Sequence, residues 1–311
     1  MPETASSDTF PFGQDIVWRP DPDTVASTNL RRFMDRHDLV DLEALHDRAC
    51  QNVAWFWDAV MDDLGIEFYT DYAQIVDLSR GVQFPKWCVG GEMNIVHNLL
   101  DKWQDTERAN QVALRYEAED GEVETLTYKQ LHRRVCRCAN MLRDRGLGKG
   151  DRIGLYMPMT PEIVIAFLAI VKIGGVLIPL FSGYGTSAVV TRLKGVEAKA
   201  LFTADGFTRR GTPIRMKETA DEALAQCPSV EHVFVLPHLG RADTPMKRGR
   251  DAYWQNAVAE YDAHARTERT KADDPLMIIY TSGTTGAPKG AVHTHCGFPI
   301  KGAQDMYHAM D

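Results

Sequence analysis

Between Val112 and Leu236 the chain alternates, again and again, between two hydrophobic rhythms, and few folds can accept that. Val112–Glu117 and Glu122–Leu126 flank Asp120-Gly121, a dipeptide that closes tight hairpins. Thr127, with Gln130 three residues on, forms a capping box for a helix whose buried stripe is Leu131, Val135, Ala139 and Leu142, ending at Gly146. Strand-like runs follow at Arg152–Met157, Val176–Leu180, Ala200–Thr203 and His232–Leu236. Between them lie helix-like stretches from Thr160-Pro161 to Ile173, near Ser187–Gly195, and near Met216–Gln226. Strands that alternate with helices form βαβ units, and βαβ units build a mainly parallel sheet covered on both faces. The fold class expected is therefore α/β, in layers of mostly parallel sheet flanked by helices.

The first hundred residues read differently. Residues 1–25 carry Pro11, Pro20 and Pro22 among polar residues, which predicts an irregular arm. From Ser27 to about Gly65 the period is helical, with Leu30, Phe33 and Met34 on one face and Trp55, Phe56, Ala59 and Val60 on another. Trp87–Gly91 reads as a turn and Asn94–Lys102 as a short helix. Trp55 and Trp57 read as packing residues. Residues 239–250 form a polar, basic excursion expected in an exposed loop.

Composition excludes several classes. Apolar residues make up 44% and charged residues 25%, the ordinary range of water-soluble domains. A net charge of −8 argues against an overall electrostatic nucleic-acid binder. The 6 cysteines are scattered without CxxC spacing, which predicts reduced thiols rather than a disulfide framework or a zinc site. The longest apolar run, Ile163–Ile173, is too short to span a bilayer, and the polar, acidic N-terminus has no signal-peptide pattern. These features predict a cytoplasmic protein with neither membrane nor nucleic acid as partner.

The densest chemistry lies late in the chain. The apolar strand Leu276–Tyr280 feeds Thr281-Ser282-Gly283-Thr284-Thr285-Gly286-Ala287-Pro288-Lys289-Gly290. Its glycines let backbone N–H groups approach an anion, its hydroxyls add donors and Lys289 adds positive charge, a set suited to a polyphosphate. It is not a Walker loop, because Pro288 precedes Lys289, Gly290 follows it, and Ala291–His295 reads as a second strand instead of a helix. Composition alone would also fit a Gly/Thr-rich surface turn; the ordered string is what sets the segment apart. His293 and His295, two apart on that strand, predict a structural or hydrogen-bonding role rather than a metal site.

The string YTSGTTG-x-PKG resembles the signature of the adenylate-forming superfamily, which comprises acyl-CoA synthetases, luciferases and peptide-synthetase adenylation domains. Leu126–Leu131 resembles that superfamily's LTYxEL segment, with Gln130 in place of Glu, and Val171–Pro179 resembles its LKAGxxxxP segment. Trp55–Trp57, Tyr72–Leu78, Trp87–Asn94 and Asn98–Asp101 are similar to the N-terminal extension of acetyl-, propionyl- and acetoacetyl-CoA synthetases. On this resemblance residues 1–101 are the extension and 102–311 the first part of an AMP-binding domain.

The resemblance implies AMP-forming ligation. A short-chain carboxylate attacks the α-phosphorus of ATP, pyrophosphate leaves, and the thiol of CoA then displaces AMP. ATP, Mg²⁺ and CoA are the implied cofactors and substrates. Thr281, Ser282, Gly283, Thr284, Thr285, Gly286, Lys289 and Gly290 are the implied phosphate ligands. Arg209, Arg210 and Lys217 are the implied partners of the CoA 3′-phosphate, although a second arginine of the family pattern falls on Thr212. No catalytic or metal-binding set is complete within these residues. Members of the family run to about twice this length, so a missing C-terminal half is an expected partner and the chain alone is expected to be inactive. Two other readings stay open: an adenylating enzyme with a different acceptor, and a non-catalytic nucleotide-binding remnant.

Overall fold

The structure, a computed structural model, describes residues 18–281, 286 and 288–310. It contains two compact units, one formed by residues up to Gly65 together with those from Ile300 onward, the other by Ile66–Pro299.

In the first unit, α1 (Pro22–Ser27), α2 (Asn29–Arg36), α3 (Leu42–Gln51) and α4 (Val53–Asp63) follow one another closely. The end of the expected irregular arm is in fact helical from Pro22. The Asp21 carboxylate accepts the Thr24 N–H at 2.7 Å, and proline sits at the first helical position, where no N–H is required. Thr28, Asp41 and Asn52 cap the next three helices in the same way. Phe33, Ala59 and Val60 form a buried cluster against which Trp55, Phe56 and Trp57 pack, so both tryptophans are packing residues. Arg48 stacks 3.7 Å from the Trp55 ring centre.

The second unit begins with an antiparallel pair, β1 (Gln74–Asp77) and β2 (Lys86–Val89). Much of the turn expected at Trp87–Gly91 is thus strand, and the reversal is confined to Gly90, at φ +81°, and Gly91. Then come α5 (Ile95–Leu99), the hairpin of β3 (Val112–Glu117) and β4 (Val123–Thr127), and α6 (Tyr128–Asp144), whose Thr127–Gln130 capping box has both hydrogen bonds in place.

The body of the unit follows: β5 (Arg152–Tyr156), α7 (Pro161–Lys172), β6 (Val176–Leu180), α8 (Thr186–Gly195), β7 (Ala200–Ala204), the small hairpin β8 (Phe207–Arg209) and β9 (Thr212–Ile214), α9 (Met216–Leu224), β10 (His232–Leu236), β11 (Asp251–Tyr253), α10 (Trp254–Val258), β12 (Pro275–Thr281) and β13 (Lys289–Thr294). Among the described residues these give a seven-stranded sheet in the order β11-β10-β7-β5-β6-β12-β13. Every pairing is parallel except that of β13 with β12. The central strands are buried on both faces, as covered parallel strands must be. Helix α6 packs with both α7 and α10, and α8 packs with α9.

This order has a functional consequence. β6 follows β5 and lies on one side of it, whereas β7, the next strand, lies on the other. In open α/β sheets ligands gather at the carboxyl ends of the strands near such a reversal. The segment before the sheet is sewn onto its body: Asn94 Nδ2 donates to the Val171 and Glu268 carbonyls at 2.8 and 3.1 Å, and the Ala272 N–H donates to Gly91 at 2.9 Å.

Candidate functional site

β12 runs parallel to β6, so the chain leaving β12 emerges at the same carboxyl edge as the chain leaving β5, β6, β7 and β10. There it turns back as β13, with Tyr280 opposite Gly290 and Thr281 opposite Lys289. The loop therefore joins two strands, as its sequence requires, and does not open a helix. Thr281, Gly286, Lys289 and Gly290 are all exposed, and Gly286 holds a φ of +101°, a conformation that favours glycine. Lys289 has no ion-pair partner among the described residues. Ser282, Gly283, Thr284 and Thr285 lie outside the described residues.

The strands beneath the loop are closely fitted. A Cβ on Gly290 would lie 2.8 Å from Ile278 Cγ2, closer than real side chains approach, and 3.5 Å from the Tyr280 ring, an ordinary contact distance, so it is Ile278 that requires glycine here. Beyond β13 the backbone turns inward. His295, expected on the strand beside His293, falls after the strand ends and is fully buried, where its Nδ1 accepts the Ile95 N–H at 3.3 Å. Burial lowers its pKa to about 4, so it is a neutral hydrogen-bonding group. His293 instead stays half-buried against the Phe298 ring, at 5.1 Å.

Arg209 and Arg210 lie on the β8–β9 hairpin that follows β7, so they too leave the sheet at its carboxyl edge, and both are exposed. Three strand spacings, about 14 Å, separate β7 from β12 in the sheet, so the two features stand at different places along the edge. Lys217 is placed elsewhere. Its side chain is 0% exposed, and its ammonium lies 2.6 Å from Asp221 and 2.9 Å from Asp251. A fully enclosed ammonium already bound to two carboxylates is not presented to a phosphate, and the arginines stand without it.

The basic excursion at 239–250 is likewise less free than its composition implies. Arg241 binds Glu218 at 2.5 Å and the Asp205 carbonyl at 2.8 Å, while Arg250 binds Asp221 at 2.5 Å and Asp251 at 2.6 Å. Burial raises the Asp251 carboxyl's pKa, but hydrogen bonds from Arg250, the Lys247 backbone and Lys217 outweigh it and hold the group below the usual carboxylate range. One feature was invisible in the sequence: Arg192 of α8, 7% exposed, lies over the Tyr184 and Tyr280 rings. Nothing in the spacing of a helix marks one arginine as the neighbour of a residue 88 positions later.

Comparison with known proteins agrees with this geometry. The family model described as AMP-binding enzyme matches residues 101–310, which is most of the chain. The chain belongs to the AMP-binding enzyme family. A second model, the acetyl-coenzyme A synthetase N-terminus, matches residues 42–99 of this AMP-binding enzyme. An acetyl-coenzyme A synthetase of Methanothrix thermoacetophila is 37% identical over 285 residues, covering 91% of this chain and 43% of that protein. One of Pasteurella multocida is 38% identical over 282 residues, covering 90% and 43%. The solved acetoacetyl-CoA synthetase from Streptomyces lividans superposes with a TM-score of 0.84 at 29% identity, over 93% of this chain and 45% of that one. The chain thus spans less than half the length of the relatives it matches. No described helix is long and apolar enough to cross a membrane.

Proposed function

We propose that this chain is the nucleotide-gripping portion of an AMP-forming acyl-CoA synthetase acting on a short-chain, acetate-like carboxylate. The observation that carries the proposal is the exposed β12–β13 hairpin, whose Lys289 has no ion-pair partner among the described residues, on the carboxyl edge of a family sheet. In this reading Thr281, Ser282, Thr284 and Thr285 donate hydrogen bonds to the β- and γ-phosphates of ATP. Gly283, Gly286 and Gly290 let the backbone approach, and Lys289 offsets charge as pyrophosphate leaves. Arg209 and Arg210 take the 3′-phosphate of CoA. Residues 1–101 act as the synthetase extension and 102–311 as part of the adenylation domain. The acetyl-coenzyme A synthetase N-terminus match favours CoA over a carrier protein as acceptor.

The family also implies Mg²⁺. No group of three His, Cys, Asp or Glu side chains among the described residues is arranged to hold a metal ion. A magnesium ion bound chiefly through phosphate oxygens and water needs no such cage, and it would enter with ATP.

Pyrophosphate exchange by the full-length product, run with acetate, propionate, butyrate and acetoacetate, tests the proposal. Acid-dependent exchange of label from pyrophosphate into ATP is expected with at least one of these acids. Exchange with none of them would remove the short-chain reading, and failure to bind ATP at all would remove the adenylation reading.

A further inference from the structure

A buried arginine normally faces a carboxylate, because an unpaired charge in a low-dielectric surrounding is costly. Arg192 does not. Among the described residues its partners are the Ala188 carbonyl, 2.8 Å from Nη1, the Tyr184 hydroxyl, 3.3 Å from Nη2, and two aromatic faces. The guanidinium carbon lies 4.2 Å from the Tyr184 ring centre and 5.6 Å from that of Tyr280. Both distances fall within the range of cation–π attraction. Tyr184 is itself fixed, since its carbonyl accepts the Tyr156 hydroxyl at 2.7 Å.

Tyr280 is the residue from which the phosphate loop departs. Its ring is confined on three sides: Arg192 faces it, Gly290 underlies it on the neighbouring strand, and Gly195 closes on its hydroxyl. A Cβ at Gly195 would lie 2.9 Å from Tyr280 Oη, closer than real side chains approach. Gly195, the last residue of α8, and Gly290, the second residue of β13, therefore restrict where this ring can sit. The adjacent Thr281, opposite Lys289, inherits its direction from that seat.

We propose that Arg192 is a positioning residue for the phosphate loop. Its planar guanidinium, stacked on Tyr184 and within cation–π range of Tyr280, with no carboxylate partner among the described residues, orients the strand end that presents Thr281 and Lys289 to a polyphosphate. The inference rests on the phosphate-loop reading above and goes beyond it by naming a residue that touches no ligand.

Titration calorimetry with inorganic pyrophosphate tests it on the purified chain and three variants, with thermal melts run alongside. Wild type is expected to bind. Arg192→Gln should bind about tenfold more weakly. Arg192→Lys, which keeps the charge and the apolar stem but loses the flat stacking surface, should remain about fivefold weaker. Gly195→Ala is the decisive variant, because alanine favours the helix while its methyl group displaces the Tyr280 ring. Its pyrophosphate binding should fall about fivefold with no loss of melting temperature, which a general loss of packing would not produce.

Wild-type affinity in Arg192→Lys or in Gly195→Ala overturns the inference and leaves the phosphate-loop reading standing. Should Arg192→Gln not fold, those two variants still decide. No binding by the wild-type chain overturns both readings together.

Discussion

Two polar loops leave the sheet of the second unit at its carboxyl edge, and they differ in how much of their charge the protein has already matched. The loop after β10 carries Arg241 and Arg250, both engaged by carboxylates and both largely covered, at 12% and 15% exposure. The loop after β12 carries Lys289, exposed and without a partner among the described residues. By composition the first is the more basic. By geometry two of its four cations are already neutralised and only Lys247 and Arg248 stay exposed, whereas Lys289 of the second has no carboxylate beside it among the described residues. Electrostatic binding depends on charge that the protein has not already neutralised, and a count of lysines and arginines does not measure that.

The sharpest way to break the comparison is to exchange the two kinds of lysine for methionine. Lys217→Met leaves Asp251, itself 0% exposed, with Arg250 alone and Asp221 short of a partner. Breaking a buried pair from one side costs about 3–5 kcal/mol, which a urea midpoint would register directly. An unchanged midpoint would mean that the buried cluster is not matched as the contacts imply, and the contrast between the loops would dissolve.

A second buried network predicts how stability varies with pH. Asp101 binds Lys172 Nζ at 2.7 Å and lies 3.4 Å from His132 Nε2, and Thr267 donates to the same carboxylate. Burial pulls the His132 pKa down, but hydrogen bonds with Asp101 and Cys136 outweigh it and raise the value to about 9. The native state therefore holds a proton that the unfolded chain releases near pH 6.5. The resulting stability is full below that pH and is lost as pH rises through about 9, at most about 3 kcal/mol in all. His295 works the other way. Burial lowers it to about 4, so its contribution is lost as pH falls from about 6.5 toward 4. Urea midpoints measured from pH 4 to 10 should peak near pH 6.5. His132→Gln should flatten the alkaline limb and His295→Gln the acid limb; a wild-type profile still rising at pH 9 would contradict the assignment.

Lys289→Met probes the exposed side of the contrast. Stability should stay within about 0.5 kcal/mol, as for most surface substitutions, while affinity for inorganic pyrophosphate drops about tenfold. A lost midpoint with intact binding would reverse the roles assigned to the two lysines.

Much of this architecture was legible because local signals agreed with tertiary demands. Thr127 and Gln130 start a helix wherever they are placed, and Thr160-Pro161, Gly146 and Gly174-Gly175 punctuate the chain for reasons internal to a few residues. The α/β class followed from that punctuation. What was not legible depended on partners far along the chain. Lys217 reads as a surface cation until Asp251 is brought beside it, and Arg192 reads as an ordinary helix residue until Tyr280 arrives beneath it. The three-residue strands β8, β9 and β11 are too short to carry a period of two and are held by pairing alone. Pro22 misled in another way, because proline breaks a helix in its interior but suits its first position.

Arg209 offers the gentlest test, and it asks whether free charge at this edge is specific to one ligand. Arg209 and Lys289 are both exposed, and they stand on hairpins three strand spacings apart along the same edge. If Arg209 meets the 3′-phosphate of CoA while Lys289 meets the triphosphate of ATP, reversing its charge should separate the two substrates. Arg209→Glu in the full-length product should raise the KM for CoA about fivefold and leave pyrophosphate exchange, which needs no CoA, at the wild-type rate. A comparison with dephospho-CoA sharpens the reading, because a substrate lacking the 3′-phosphate should not distinguish wild type from the variant. Equal losses in both assays would instead indicate that Arg209 contributes only a diffuse positive field. In that case availability of charge, rather than its placement on the hairpin after β7, would be what the edge provides.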